Sequence, residues 1–365
     1  MELLFVTPIY PPEIGGPATY SRYMSDELRK RGHKVSIISL GEQQDSAEVS
    51  FVSRKQSKAK QEYKLFRKIM EKGKTAEAIL ALDPLAVGLP ALTASKLLKK
   101  KLIVRFVGDV PWEKARREGK TSKMLDDFLA NPDANINLLR LERIVLNSAD
   151  KVVVPSNYLK SVLVKYHGVN PEKVALVPNF VLVPEGLDKE EARKKHSIEG
   201  KAMLFVGRLV PWKGVEGLLA LFRKLRADVP ELKFYIIGKG PEEEKLRELA
   251  PGGTVFLGDL GHREVLEYMA ASDLLVLNST YEGLSHVLIE AARIGVPVVS
   301  SDAGGNPDVV CGDSLFAVGD EDRFYGKARK ALMDKEFASF LSRQNKEKAS
   351  IFDISVSADR LMNNL

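Results

Sequence analysis

The 365-residue chain has a single cysteine, Cys311, so no internal disulfide can form. A disulfide-stapled scaffold is excluded, and one cysteine in this length fits a reducing, cytoplasmic compartment. Long apolar runs are missing too. The uncharged stretch from Pro84 to Ser95 is 12 residues, whereas a helix crossing a bilayer needs about 20. The opening residues Met1 to Pro8 carry no basic leader, and Pro8, Pro11 and Pro12 interrupt them, so they do not read as a secretion signal. There is no tandem short repeat and no low-complexity tract. Histidine is sparse: His33, His167, His196, His262 and His286 show no metal-ligand spacing.

What is present is a globular composition, 44% hydrophobic and 28% charged, in a length that suits two domains of roughly 150–200 residues. The net charge of +6 is unevenly shared. Residues 1–184 hold 30 Lys and Arg against 20 Asp and Glu, while residues 185–365 hold 25 against 29. An anionic partner is therefore expected at the first half. No recognised motif or aromatic platform supports nucleic acid as that partner.

Short apolar runs alternate with amphipathic ones throughout. Leu3–Val6, Val35–Ser39, Ala78–Ala81, Leu102–Phe106, Val152–Val154 and Val174–Val177 read as strands. The pattern restarts with Met203–Val206, Lys233–Ile237, Thr254–Leu257, Leu274–Leu277 and Val296–Ser300. Helical stretches lie between them, which predicts an α/β architecture of parallel strands and crossover helices. A charged, proline-bearing join from Pro184 to Gly200 separates the two series. In such sheets ligands bind beyond the carboxyl ends of strands, where loops meet helix N-termini.

The richest segment follows the run Asp273–Leu277: Ser279-Thr280-Tyr281-Glu282-Gly283-Leu284-Ser285-His286-Val287-Leu288-Ile289-Glu290-Ala291. With a helix starting near Leu284, Glu282 lies in the loop at its mouth and Glu290 in its second turn. Backbone N–H groups near Gly283, Leu284 and Ser285 then form an anion site. One carboxylate can bind hydroxyls on one side of a diphosphate, the other those on the opposite side. Taken alone, the pair also fits a first-turn acid and a solvated helix charge. A second segment, Phe205-Val206-Gly207-Arg208-Leu209-Val210-Pro211-Trp212-Lys213-Gly214, runs from a strand through a tight loop towards a helix. Arg208 and Lys213 at one loop suit a diphosphate leaving group, although surface salt bridges are the common fate of such residues. A third, Tyr10 to Thr19, places Gly15 and Gly16 between the first strand and first helix, where a backbone can approach a ligand closely.

These three motifs, in this order, together with Asp302-Ala303-Gly304-Gly305-Asn306-Pro307-Asp308, resemble glycosyltransferase family 4, the retaining GT-B enzymes with a Glu-x7-Glu motif. The resemblance spans nearly the whole chain. It implies two facing Rossmann-like domains with an interdomain cleft, over residues 1–184 and 185–350, and a final helix over 351–365 returning to the first domain. It further implies that Arg208 and Lys213 bind the donor diphosphate, Glu282 the transferred sugar and Glu290 the ribose. The donor is then a nucleoside-diphosphate sugar, with no cofactor and no metal, and the acceptor a sugar, a small molecule or a lipid-linked hydroxyl.

The chain departs from the family where many members carry a histidine near the sugar. Here the stretch reads Arg105-Phe106-Val107-Gly108-Asp109-Val110-Pro111-Trp112-Glu113. Asp109 is the polar candidate for a catalytic contact, and equally a helix cap or turn residue. Asp308 stands where the family often has Glu. Gly238-Lys239-Gly240 starts like a dinucleotide fingerprint, but Glu243 takes the place of the third glycine, so a turn is expected. Asp320-Glu321-Asp322 reads as helix-start acids, not metal ligands. Two other readings share the donor residues: a GT-B-like nucleotide-sugar epimerase, and a non-catalytic nucleotide-sugar binding protein. The basic stretch Arg54–Met70 places Tyr63, Phe66, Ile69 and Met70 at three- and four-residue steps. Such a helix either packs on its own sheet or touches an anionic membrane at the cytoplasmic face.

Overall fold

In the computed structural model, residues 1–13 and 15–365 are described, and Ile14, inside the glycine loop, lies outside them. The chain forms two compact units, Met1–Asn179 with Ile354–Leu365, and Phe180–Asp353. The first break falls before the proline-bearing join, not within it. Phe180 and Val181 are almost fully buried, and Val181 belongs to the apolar core of the second unit. Apolar burial outweighs the polar join in placing the boundary.

The first unit is a seven-stranded, wholly parallel sheet in the order β3-β2-β1-β4-β5-β6-β7. Its strands are β1 (Glu2–Thr7), β2 (Lys34–Leu40), β3 (Val49–Val52), β4 (Ala78–Ala81), β5 (Lys101–Arg105), β6 (Lys151–Val154) and β7 (Val174–Leu176). Helices α1 (Gly16–Lys30), α2 (Lys58–Lys72), α3 (Gly88–Leu98), α4 (Val110–Arg117), α5 (Leu125–Ala130), α6 (Ile136–Ser148) and α7 (Asn157–His167) supply the crossovers. Strands buried on both faces must be near-continuously apolar, and β4, Ala-Ile-Leu-Ala, is buried at every position. The basic helix α2 turns Leu65 and Ile69 into the core, and Tyr63 stays 60% exposed. The expected apolar stripe is thus divided, with its inner half packed on the unit itself.

The second unit holds six parallel strands in the order β10-β9-β8-β11-β12-β13. They are β8 (Ala202–Val206), β9 (Lys233–Ile237), β10 (Thr254–Gly258), β11 (Leu274–Leu277), β12 (Val298–Ser301) and β13 (Leu315–Phe316). Its helices are α8 (Lys189–Lys195), α9 (Val215–Asp228), α10 (Glu243–Leu249), α11 (His262–Ala271), α12 (His286–Ile294), α13 (Asn306–Val309), α14 (Glu321–Met333) and α15 (Lys335–Lys348). Both units are Rossmann-like. In each, the strand order reverses once, between β1 and β4 in the first and between β8 and β11 in the second, and such reversals open a crevice at the strands' carboxyl ends.

The last helix, α16 (Ile354–Met362), packs on α1 of the first unit. Ala358 and Leu361 are fully buried, Ser357 Oγ donates to the Pro178 carbonyl at 2.6 Å, and Arg31 pairs with Asp359. Leu361→Ala is expected to destabilise the first unit by about 2–4 kcal/mol, as for a buried leucine truncated in a packed site. Scanning calorimetry would show it, and an unshifted transition would contradict the docking of α16.

Candidate functional site

The reversal between β8 and β11 collects most of the expected residues. After β8 the backbone runs close to the loop after β9. Leu209 N–H donates to the Lys239 carbonyl at 3.0 Å and Glu242 N–H to the Leu209 carbonyl at 3.2 Å. A Cβ on Gly238 would collide with the Gly207 carbonyl, and one on Gly240 with that of Leu209. These glycines serve loop-to-loop packing, as the missing third glycine of the fingerprint implied. On the other side, Thr280 N–H donates to the Trp212 carbonyl at 2.8 Å, and Asn278 Nδ2 to that of Gly214 at 3.4 Å. Gly214 adopts φ +62°, against the Asn278 carbonyl. The segment carrying Arg208 and Lys213 is thereby fixed between its two neighbours.

Lys213 ends a short 3-10 turn, Pro211–Lys213, and its Nζ donates to Glu282 Oε1 at 2.5 Å. Ser279 Oγ donates to the same oxygen at 2.8 Å. Among the described residues Glu282 Oε2 carries no hydrogen bond, and Lys213 Nζ uses one of its three donors. Arg208 is exposed and forms no ion pair among the described residues. The site thus offers one open cation, a lysine with two donors to spare and a carboxylate oxygen ready to accept.

The loop that carries Glu282 is built from behind. Gly305 N–H donates to the Glu282 carbonyl at 2.9 Å. Gly304, at φ +54°, lies so close to that carbonyl that any Cβ would collide with it. Below, Ser301 Oγ donates to the Ser279 carbonyl at 2.7 Å, and buried Asn306 donates to Ser300 Oγ and the Ser301 carbonyl, each at 3.1 Å. The Asp302–Asp308 motif therefore acts as a floor beneath Glu282. Ser285 caps α12 by accepting from Leu288 N–H, which starts the helix two residues later than expected and leaves Gly283 and Leu284 in the loop.

Glu290 occupies the second turn of α12, as expected, and has a partner that periodicity did not reveal. His262, the first residue of α11, places Nε2 2.8 Å from Glu290 Oε1. That hydrogen bond raises the pKa of His262, helped by the carboxylate's charge and opposed by burial. The histidine nearest in sequence, His286, is the exposed first residue of α12. No local pattern ties position 262 to 290, because only the sheet order brings α11 beside α12.

Gly15, Gly16 and Asp109 belong to the first unit. Gly15 caps α1 beyond β1; among the described residues a Cβ on Gly16 would meet no atom within 4 Å, whereas one on Gly15 would crowd Ile9 Cδ1. Asp109 takes the second of its two expected roles, that of a helix cap. It is the N-cap of α4, fully buried, with Oδ1 accepting from Trp112 N–H at 2.7 Å. Its neighbour along the chain, Arg105, is buried 3.9 Å above the Tyr20 ring and donates to Asn179 Oδ1. Asp320 caps α14, in keeping with a helix-start acid. No helix among the described residues is long and apolar enough to cross a membrane.

Comparison with known proteins agrees with this architecture. Residues 188–348 match the family of glycosyl transferases group 1, and residues 14–183 match glycosyltransferase family 4. The chain is 32% identical over 172 residues to sulfoquinovosyl transferase SQD2 of Arabidopsis thaliana, covering 45% of this chain and 33% of the plant protein. It is 25% identical over 320 residues to one component of the human phosphatidylinositol N-acetylglucosaminyltransferase, covering 85% of this chain and 63% of that protein. The matches thus span less than two thirds of either relative. Among solved structures, Anabaena HepE in complex with UDP and glucose superposes over 100% of this chain and 98% of its own, with a TM-score of 0.76 at 18% identity. HepE has also been solved with UDP-glucose.

The His262–Glu290 contact makes a pH-dependent prediction. Since the folded pKa is raised, the contact is complete below the unfolded histidine value and is lost as pH rises through the folded one. An NMR titration should place His262 above the ordinary histidine range, and Glu290→Gln should bring it back. An unaltered midpoint in that variant would contradict the pairing.

Proposed function

The chain belongs to the family 4 type of glycosyltransferases, and on that premise we propose that it is a retaining enzyme. It moves a sugar from a nucleoside-diphosphate sugar to an acceptor hydroxyl without a metal ion at the diphosphate. The observation that carries this reading is the shared loop of Arg208 and Lys213, with Lys213 bonded to Glu282 at the sheet's reversal point. HepE, which shares the fold, has been solved with UDP-glucose, and this supports a nucleotide-sugar donor.

In this reading Arg208 and the spare donors of Lys213 hold the diphosphate, and the amino end of α12 adds its dipole. Glu282 Oε2 accepts from a sugar hydroxyl, and Glu290 from the ribose. As the bond between the anomeric carbon and the β-phosphate oxygen breaks, the electron pair stays on that oxygen. Arg208 and Lys213 meet the growing charge. The acceptor oxygen attacks the anomeric carbon from the face the nucleotide leaves, and its proton passes to the departing phosphate oxygen. No protein base is needed.

A lipid-linked acceptor is the first class to try. The human relative carries phosphatidylinositol in its name, and α2 leaves Tyr63 exposed beside Lys60, Lys64 and Arg67. That face would contact an anionic membrane surface, where each basic residue contributes about 1 kcal/mol.

Incubation with a panel of nucleoside-diphosphate sugars is expected to release the nucleoside diphosphate, faster when acceptor is present. Conversion to a new nucleotide sugar would mean an epimerase, and binding without turnover a binding module. Added magnesium or manganese should not raise the rate. Glu290→Ala is expected to weaken the donor by about 0.5–1.5 kcal/mol per ribose hydrogen bond lost. Calorimetric titration checks this, and an unchanged dissociation constant in a folded variant would refute the role of Glu290.

A further inference from the structure

The first unit contains a polar constellation that the proposed reaction does not use. Asp109 caps α4, Glu142 lies in α6 and His167 ends α7. They are 0%, 0% and 4% exposed. One oxygen of each acid is satisfied by backbone, Asp109 Oδ1 by Trp112 N–H at 2.7 Å and Glu142 Oε1 by Val110 N–H at 3.4 Å. The other oxygens, Asp109 Oδ2 and Glu142 Oε2, have no hydrogen-bond partner among the described residues, and neither ring nitrogen of His167 has one. His167 Nε2 stands 3.1 Å from Asp109 Oδ2, close but poorly aligned for a hydrogen bond. One donor atom from each residue falls within 4.8 Å of the other two.

Two carboxyl groups in a dry interior need compensation, since an isolated buried charge is very costly. Among the described residues no lysine or arginine pairs with either of them. A water molecule can bridge the orphaned atoms but leaves the negative charge of any ionised acid unanswered. A divalent cation answers both the charge and the orphaned lone pairs.

We propose that Asp109, Glu142 and His167 form a buried site for a divalent transition cation, with zinc as the first to test. One imidazole and two carboxylates are borderline and hard donors that suit such an ion, which commonly takes three protein ligands and a fourth from water. Ligand bonds of about 2.0–2.2 Å place neighbouring donors roughly 3.3 Å apart, and the 3.1 Å between His167 and Asp109 already matches. The third ligand closes in from no more than 4.8 Å. Binding joins α4, α6 and α7 at one point within the first unit.

The full chain, free of any affinity tag, is dialysed against a chelator, loaded with zinc and desalted, and its metal content and melting temperature are measured. The expected result is about one zinc per chain and a raised melting temperature. Glu142→Gln, which keeps the carboxamide oxygen for Val110 N–H, and His167→Ala should each lose the metal, while Asp320→Asn keeps it. Cobalt loading of the unaltered chain offers a readout that no variant's folding can spoil, and it should give the visible bands of a low-coordinate site. Wild-type chain that retains no zinc, gains no stability and shows no cobalt bands would overturn the proposal. So would metal retained equally in folded Glu142→Gln and His167→Ala.

Discussion

Lys213 and Glu282 lie 69 residues apart in the chain, yet their side chains meet at 2.5 Å where the second sheet changes direction. The contact requires β8 and β11 to be neighbours, and the register Leu274 with Met203 and Leu275 with Leu204 brings their ends level. Around it everything else is arranged. The loop after β9 braces the lysine from one side, and the backbone of Gly304 and Gly305 braces the glutamate from the other. Both side chains are mostly buried, 20% and 10% exposed. Removing one partner would leave a poorly solvated charge behind, so the pair sets the geometry of the loops.

An ion pair of this kind has a direct chemical use. A lysine held by a carboxylate has a defined position, with two N–H groups still to give. Exposed Arg208 on the same segment adds a fixed positive charge that no acid among the described residues neutralises. In the proposed reaction such cations would meet the leaving diphosphate without reorganising. At the far end of the motif, His262 ties Glu290 to α11.

Much of this was legible in the sequence. Met203–Val206 and Leu274–Leu277 are short apolar runs that end in polar loops, and these are what strands buried on both faces look like. Arg208, Lys213, Glu282 and Glu290 stand out because they lie in the loops and the helix that follow such runs. Other features could not be read. Val49–Val52 is a short edge strand with a serine in its middle, and Leu315–Phe316 is only two residues long, so neither forms a clear run. Helices α4 and α5 are short, eight and six residues, and are set between charged turns. The pairing of His262 with Glu290, and the burial of Asp109 beside Glu142 and His167, are tertiary facts with no local period. Phe180 and Val181 moved the unit boundary because core burial, not proline, decides where a domain begins.

The central claim is that Lys213 binds the diphosphate while Glu282 binds the sugar. Calorimetric titration of the unaltered chain, Lys213→Met and Glu282→Gln, each with the nucleoside diphosphate alone and with its sugar conjugate, tests the claim directly. Lys213→Met should weaken both ligands by about 1.5–3 kcal/mol, the worth of a charge-assisted hydrogen bond. Glu282→Gln should weaken the sugar conjugate but not the bare diphosphate, because its carboxamide oxygen can still accept from Lys213 and keep the lysine in place. A Lys213→Met variant that binds the diphosphate as tightly as the unaltered chain would contradict the account, as would a Glu282→Gln variant that loses both ligands alike.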